Sequence, residues 1–448
     1  GKMKAFCLLF VLAFSLLGSD EELIPWTNAG LCWTYEGPRL PAVNKTLYGG
    51  KIVIGGQTFH KGIAGHTPFT VFFHTGGLAD SLSGRIGIDD GNHPLDPPGE
   101  QDTAVDAVIL ANRREVFRRT VHLGEKAQFF SLNLKGVSHL ELRGEYKKHF
   151  YKQRIVFADL RFHSSAPEKL RAFAWEKRRE CEMLKRKKIH YPPAPEWKTI
   201  SIRKENEEYV IGNGKICLRL LPGVGGRISG ISLLGGENLL QANGPYRKES
   251  LLERGGNGDF GGGHFMRPEP RRYFLPSDPI LKYAPYTIEF PREGKILMTS
   301  PSSPDFLMRY SFLIEIENGK SGFTLYSRIV NTAPFPQKYG IWSVTRIRHA
   351  GMKEVIFPDG VRIPYSAEFP RKEEKGFQKF LQTDDAVLTA VWMDGTFLRK
   401  EYHESGGRLH LFVNNTFTEL EFHTPVYDIG SGNSVELKEV WMIGKTND

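Results

Sequence analysis

Hydrophobic and polar residues alternate along most of the chain. Phe130, Leu132 and Leu134 alternate with Ser131 and Asn133, and Leu140 and Leu142 flank Glu141. Val156, Ala158, Leu160 and Phe162 alternate with Phe157, Asp159, Arg161 and His163. Later the same rhythm returns at Ile216, Leu218 and Leu220, at Phe312, Ile314 and Ile316, at Phe323 and Leu325, and at Leu409, Leu411 and Val413. Val435, Leu437, Glu439 and Trp441 continue it after the turn signal "GSGN". Successive strand side chains point to opposite faces, so a period of two marks half-buried strands. In "YVIGNGKICLRL", Asn213-Gly214 supplies a turn that needs positive φ, which predicts a hairpin. No fixed-period repeat interrupts the pattern. The predicted fold class is all-β: an N-terminal β-sandwich or jelly roll and a large C-terminal antiparallel sandwich.

One segment reads differently. "PEKLRAFAWEKRRECEMLKRKK" places Leu170, Phe173, Cys181 and Leu184 near helical spacing, with Glu182 four residues before Arg186. Ser165 and Glu168 form an S-x-x-E capping box, and "YPPAPEW" (191–197) ends the helix. The spacing therefore predicts a helical, proline-terminated linker over 164–197, between a domain at 25–163 and one at 198–446. A length of 448 residues agrees with two or three domains, and 47 glycines with 27 prolines favour turn-rich β architecture.

Charge and targeting narrow the class. Lys2 and Lys4, the apolar run Ala5–Leu17 and the following "GSDEE" predict a signal peptide over 1–19. That run is short for a bilayer span, and no later segment is apolar enough, so no membrane span is expected in the mature chain. The protein is expected to be secreted, or periplasmic or extracellular, after cleavage. Cys7 lies inside the apolar run, which disfavours lipid attachment. Cys32, Cys181 and Cys217 are too few and too scattered for a disulfide scaffold or a zinc motif, so they read as buried thiols. Asn44-Lys45-Thr46 and Asn414-Asn415-Thr416 fit the glycosylation pattern. The net charge of +9 is largely local, since residues 168–188 hold nine Lys/Arg against four Glu. Without a basic-aromatic recognition motif it does not indicate nucleic acid, and "GGNGDFGGG" lacks the strand-to-helix setting of a phosphate loop.

The order of motifs in the first half carries more. "KIVIGGQTFHKGIAGHTPFTVFF" is followed by "GRIGIDDG", "AVDAVILANRREVFRRT", "SLNLKGVSHLELRG" and "VFADLRF". Over residues 25–163 this resembles the NPCBM-type carbohydrate-binding module, with its "K-G-x-x-x-H" phrase and its strand ending in "G-x-D-D". The resemblance implies a sugar-binding β-sandwich often attached to secreted glycoside-active enzymes. Gly62 and Gly65 read as positions that turn the chain tightly into the next strand. Lys61, His66, Asp89 and Asp90 are the candidate sugar contacts on that rim. His66 serves either there or as a structural hydrogen bond, and the two aspartates either there or in turn chemistry. Asp96, Asp102 and Asp106 leave room for calcium, in no EF-hand spacing; otherwise no cofactor or metal ligand is assigned. Where the family has a tryptophan before its last strand, this chain has Phe157, which keeps the bulk and loses the indole donor.

The second half resembles the galactose mutarotase-like superfamily over about residues 198–446. The phrases are "LLPGVGGRISGISLLGGENLL", containing Arg227, "RIVNTAPFPQKYGIWSVTRI" and "VYDIGSGNSVELKEVWMI". The resemblance implies a β-supersandwich with a concave sugar-binding face. Where those epimerases carry a cleft histidine, this chain has Trp342, which argues against mutarotase chemistry. Glu439 stands where the base would lie but is expected to face the surface. In "RGGNGDFGGGHFMRPEPRRYF" (254–274) six glycines precede His264, Arg267, Glu269, Arg271 and Arg272. The loop either lines the concave face, with Arg267 and Arg271 gripping an anionic sugar, or is a solvated loop. His264 and Glu269 are the candidate acid/base pair, with Asp259 and Asp278 in reserve. Together these readings predict an exported protein that binds carbohydrate or polysaccharide, anionic glycans among them. The alternatives are a carbohydrate-active enzyme of glycoside hydrolase, lyase or epimerase type, and a surface adhesion protein.

Overall fold

The computed structural model describes residues 41–47, 49–91, 104–147, 154–241, 262–274, 277–365, 377–413 and 418–446. The expectations placed on residues 1–40, Asp96, Asp102, the glycine run 255–261, Asp259, the Arg272 side chain and Asn414-Asn415-Thr416 fall outside them. The chain divides into two compact units, Gly1–Arg179 and Glu180–Asp448.

The first unit is built from two antiparallel sheets. One runs, in spatial order, Ala42–Val43, Gly62–His66, Arg154–His163, Ser81–Gly87 and Gln128–Asn133. The other runs Phe69–His74, His139–Tyr146, Val105–Ala111 and Arg114–Val121. Phe69, Val71, Phe73, Leu140 and Leu142 meet Ile63, Leu82, Ile86, Ile155 and Phe157 in one core, as the period-two pattern requires. Strand Arg154–His163 departs from that pattern. Val156 and Ala158, on its other face, are buried too, against Ile52, Ile54 and Phe59 of the hairpin Ile52–Ile54/Gln57–Phe59.

Two local readings need correction. Gly62 and Gly65 lie inside strand Gly62–His66, and neither has positive φ. Gly65 is required by packing: a Cβ there would lie 2.5 Å from the Phe69 ring. The helix spans Pro167–Arg186, so Ala166, not Ser165, immediately precedes it and the expected capping box does not form. Proline in the first turn forfeits no hydrogen bond. Ser164 Oγ accepts from the Ala166 amide and Asp80 from the Ser165 amide instead. Leu170 is buried in the first unit's core, and Cys181 is a buried thiol.

The second unit is a larger sandwich. Its first sheet runs Ser201–Glu205, Glu208–Gly212, Ile216–Leu221, Arg227–Leu233, Gly263–Glu269, Gln337–Ile347, Thr418–His423, Arg408–Val413 and Phe377–Gln382. Its second sheet includes Met308–Ile316, Gly322–Asn331, Ser434–Lys445 and Thr396–His403 side by side. Asn213 makes the expected hairpin turn: its Oδ1 accepts from the amides of Lys215 and Ile216, and Gly214 has φ +89°.

Between the sheets Leu325, Leu437 and Trp441 face Ile341, Leu420 and Phe422, all buried. One polar inlay sits there. Glu439 is buried, not surface-facing: its carboxylate pairs with Lys400 Nζ at 2.8 Å and accepts from Ser343 Oγ at 3.0 Å. Lys400 also donates to Thr345 Oγ1 at 2.6 Å.

Candidate functional site

Alternation on strand Gly263–Glu269 sends its side chains two ways. His264 points inward. It is 0% exposed, its Nδ1 bonds Thr345 Oγ1 at 2.8 Å, and its ring meets the edges of Phe312 and Trp441. Burial, with Lys400 and Arg227 nearby, drives its pKa well below the usual histidine value, so it is neutral. Glu269, five residues on, belongs to the opposite face. The structure therefore does not bring His264 and Glu269 together as a pair.

The opposite face gathers the rest. Register aligns Arg267 with Trp342, Trp342 with His423, and His423 with Arg408. It likewise aligns Val344 with Glu421, Glu421 with His410, and Arg346 with Glu419. Phe265 is the centre of the basic half. Arg227 lies 4.5 Å from its ring centroid, Arg267 5.2 Å, Lys282 5.4 Å and Arg346 5.6 Å. Arg267 also sits 5.0 Å over Trp342, with Arg271 at 5.7 Å. Arg227 donates to the Gly262 carbonyl, and Arg346 Nε pairs with Glu419 at 2.7 Å. Burial, compounded by neighbouring cations, lowers Arg227 to about 9 and Arg267 to about 10, and takes Lys282 well below its ordinary value. Trp342 Nε1 and Arg267 Nε are buried donors with no hydrogen-bond partner among the described residues.

The acidic half adjoins it. Trp342 stacks on His423 at 5.5 Å and 18°. His423 Nδ1 bonds Glu269 Oε1, and its Nε2 lies 3.2 Å from Glu421 Oε2. The same Glu421 oxygen receives His410 Nδ1 at 2.5 Å. Arg408 Nη2 reaches Glu269 at 3.3 Å, and the Arg271 amide donates to Glu269 Oε2 at 3.0 Å. Burial works against charging His423, but the Glu269 and Glu421 carboxylates outweigh it and raise its pKa. Burial also opposes the Glu269 and Glu421 carboxylates, and their histidine partners hold both below the ordinary range. Glu419 goes the other way, raised by burial and by Glu421 despite Arg346.

In the first unit the predicted rim residues have structural partners. Asp89 Oδ1 accepts from the Val53 amide and Oδ2 from the Gly91 amide, while Arg154 lies 3.6 Å away. Asp90 accepts from the amides of Gly55 and Gly56. The two carboxylates thus fasten the Ile52–Phe59 hairpin. His66 ends its strand 2% exposed, opposite Arg154, and Lys61 is exposed one residue before that strand. Asp106 is held by Arg118 at 2.9 Å, Thr120 at 2.7 Å and Lys147 at 3.3 Å.

Residues 24–163 match the family model described as the NPCBM/NEW2 domain. The first unit carries an NPCBM domain. No curated protein matches the chain. Among solved structures, a galactose mutarotase-like protein from Clostridium acetobutylicum is similar at 10% identity and a TM-score of 0.41. The likeness covers 55% of this chain and 98% of that one. CBM51 from Clostridium perfringens GH95, solved in complex with methyl-galactose, is similar at 14% identity and a TM-score of 0.25. It covers 32% of this chain and 94% of that one. A TPR-domain containing protein from Parabacteroides distasonis is similar at 14% identity and a TM-score of 0.38, over 53% of this chain. The chain spans 46% of that protein's length.

In the second unit one sheet face unites five residues singled out from the sequence: Arg227, Arg267, Glu269, Arg271 and Trp342. His410, Glu419, Glu421, His423, Arg408 and Arg346 were not singled out. Part of their signal was available: "TELEFH" places Glu419, Glu421 and His423 at alternate positions, and "RLHLFV" does the same for Arg408 and His410.

Proposed function

We propose that this is an exported carbohydrate-binding protein that receives an anionic glycan on the Phe265–Trp342 face of its second unit. One observation carries the reading. Trp342 Nε1 and Arg267 Nε, buried side by side, have no acceptor among the described residues. A buried donor left unmade costs about 1–3 kcal/mol, so the pair favours an incoming oxygen, best a charged one. The basic side chains gathered round Phe265 favour a carboxylate or sulfate over a neutral hydroxyl. The NPCBM domain supports carbohydrate as the ligand class. In that unit Lys61 and His66 are the proposed contacts, and Asp89 and Asp90 shape the rim by holding its hairpin. Export rests on the charged start and apolar run of residues 1–19. A glycan array probed with the full chain tests the class. Hits concentrated among uronate-bearing or sulfated glycans support the reading; an array blank for all glycans refutes it.

A second reading, a carbohydrate-active enzyme, is favoured by the convergence of Glu269, His423, Glu421 and His410 directly beside Trp342. Product analysis on any array hit separates the two. New reducing ends, unsaturated sugars or an altered anomeric ratio mark turnover, and an unchanged glycan marks binding alone.

A further inference from the structure

We propose that His410, Glu421 and His423 form a site for a first-row divalent metal ion, zinc foremost. The inference goes beyond glycan binding and rests on a different set of atoms. The three residues occupy one face of two paired strands, with His410 opposite Glu421 and His423 two positions further. One ligand atom from each lies within 4.8 Å of the others, and all three residues are buried. Both imidazoles aim at a single carboxylate oxygen, Glu421 Oε2, at 2.5 Å from His410 Nδ1 and 3.2 Å from His423 Nε2. A zinc tetrahedron with bonds of roughly 2.1 Å has edges of about 3.4 Å. The set therefore has to open along the short His410–Glu421 edge and is already close to size along the other.

Two further observations point to a metal rather than to a hydrogen-bonded cluster alone. His423 turns its remaining nitrogen, Nδ1, to the Glu269 carboxylate. That outer carboxylate fixes the tautomer and raises the basicity of a metal-bound histidine. His410 is aimed the same way by other means. Its Nε2 is buried without a partner among the described residues, so Nδ1 carries its polar contact. The ring is also held flat on Phe380 at 3.8 Å and 7°. Two imidazoles and one carboxylate suit zinc and its first-row neighbours, not calcium or magnesium, which take oxygen. Three protein ligands leave a coordination position for an exogenous oxygen.

The test uses the full chain, stripped with chelator and dialysed. Zinc is titrated calorimetrically, bound metal is counted by mass spectrometry, and cobalt is substituted to read its visible spectrum. The proposal expects one tight equivalent, and four- or five-coordinate cobalt absorption. His410→Gln and Glu421→Gln, which keep much of the side-chain volume, abolish the tight binding. Glu269→Gln, altering only the outer carboxylate, weakens it about 10–100-fold. His403→Ala is the control for adventitious zinc, because His403 lies exposed beside the Asp385 and Glu401 carboxylates; it leaves the tight site intact. Wild-type affinity in both glutamine variants, loss of the tight equivalent in His403→Ala, or octahedral aquo-cobalt spectra with the wild-type chain overturns the proposal. Glycan affinity measured in chelator separates this failure from failure of the glycan reading.

Discussion

Lys400→Met should destabilise the second unit severely, and the structure gives the size. The Lys400 and Glu439 side chains are each 0% exposed, and their 2.8 Å ion pair joins neighbouring strands of the second sheet on its buried face. Burial depresses the lysine pKa and Glu439 opposes that shift, so each charge depends on the other. Removing the ammonium leaves Glu439 with the Ser343 hydroxyl and, at 3.8 Å, the neutral His264 ring, in surroundings built from Trp441 and Phe422. An uncompensated buried charge costs about 3–5 kcal/mol. In urea, a unit of this size loses about 3 kcal/mol of stability per molar denaturant, so the midpoint should fall by roughly 1–2 M. Tryptophan fluorescence follows the transition, since Trp441 touches the pair. The double variant Lys400→Met/Glu439→Leu removes both charges and should recover most of the loss, short of about 1 kcal/mol for hydroxyls left without partners. A single variant within about 1 kcal/mol of wild type, or a double variant no better than the single, would refute the reasoning. The outcome bears on His264, which joins this network through Thr345 and so acts in the fold.

Other outcomes follow from the packing and the electrostatics. Burial and the nearby Asp305 push Asp278 up to about 7, against bonds from Ser303 and the amides of Ile280 and Leu281. The folded state therefore holds an extra proton between about pH 4 and 7. The associated stability is complete below that window and falls as pH rises through it, by roughly 4 kcal/mol. Asp278→Asn should flatten the slope in urea midpoints taken at pH 4.5 and 7.5; an unchanged slope discards the assignment. Gly65→Ala should cost the NPCBM unit about 1–3 kcal/mol by overpacking, because the Phe69 ring that blocks a Cβ there is itself 2.7 Å from a Cβ placed on Gly144. Thermal unfolding of the variant checks this, and a melting temperature equal to wild type contradicts it.

The strands were legible because a half-buried strand writes its period into the sequence, as Leu218/Leu220 and Phe312/Ile314 do. Strand Arg154–His163 was harder, since a hairpin remote in sequence covers its second face. Parity also held information that residue type obscured. Glu439 shares the parity of Leu437 and Trp441, which places it inside, although a lone carboxylate suggests a wet position. His264 and Glu269 are separated by an odd number, which forbids one face of a strand. Arg267 and Trp342 drew attention by their chemistry, but the His410–Glu421–His423 cluster depends on strand order. Glu269 and His423 lie 154 residues apart and meet only because strand Gln337–Ile347 runs between theirs. No local pattern states that pairing.

The most direct measurement is calorimetric titration of the full chain with a uronate oligosaccharide, repeated with Arg267→Ala and Trp342→Phe. A hydrogen bond to a charged acceptor contributes about 1.5–3 kcal/mol, so each variant should bind roughly 10- to 150-fold more weakly while melting as a folded protein. Wild-type affinity in both variants would contradict the account of the Phe265–Trp342 face.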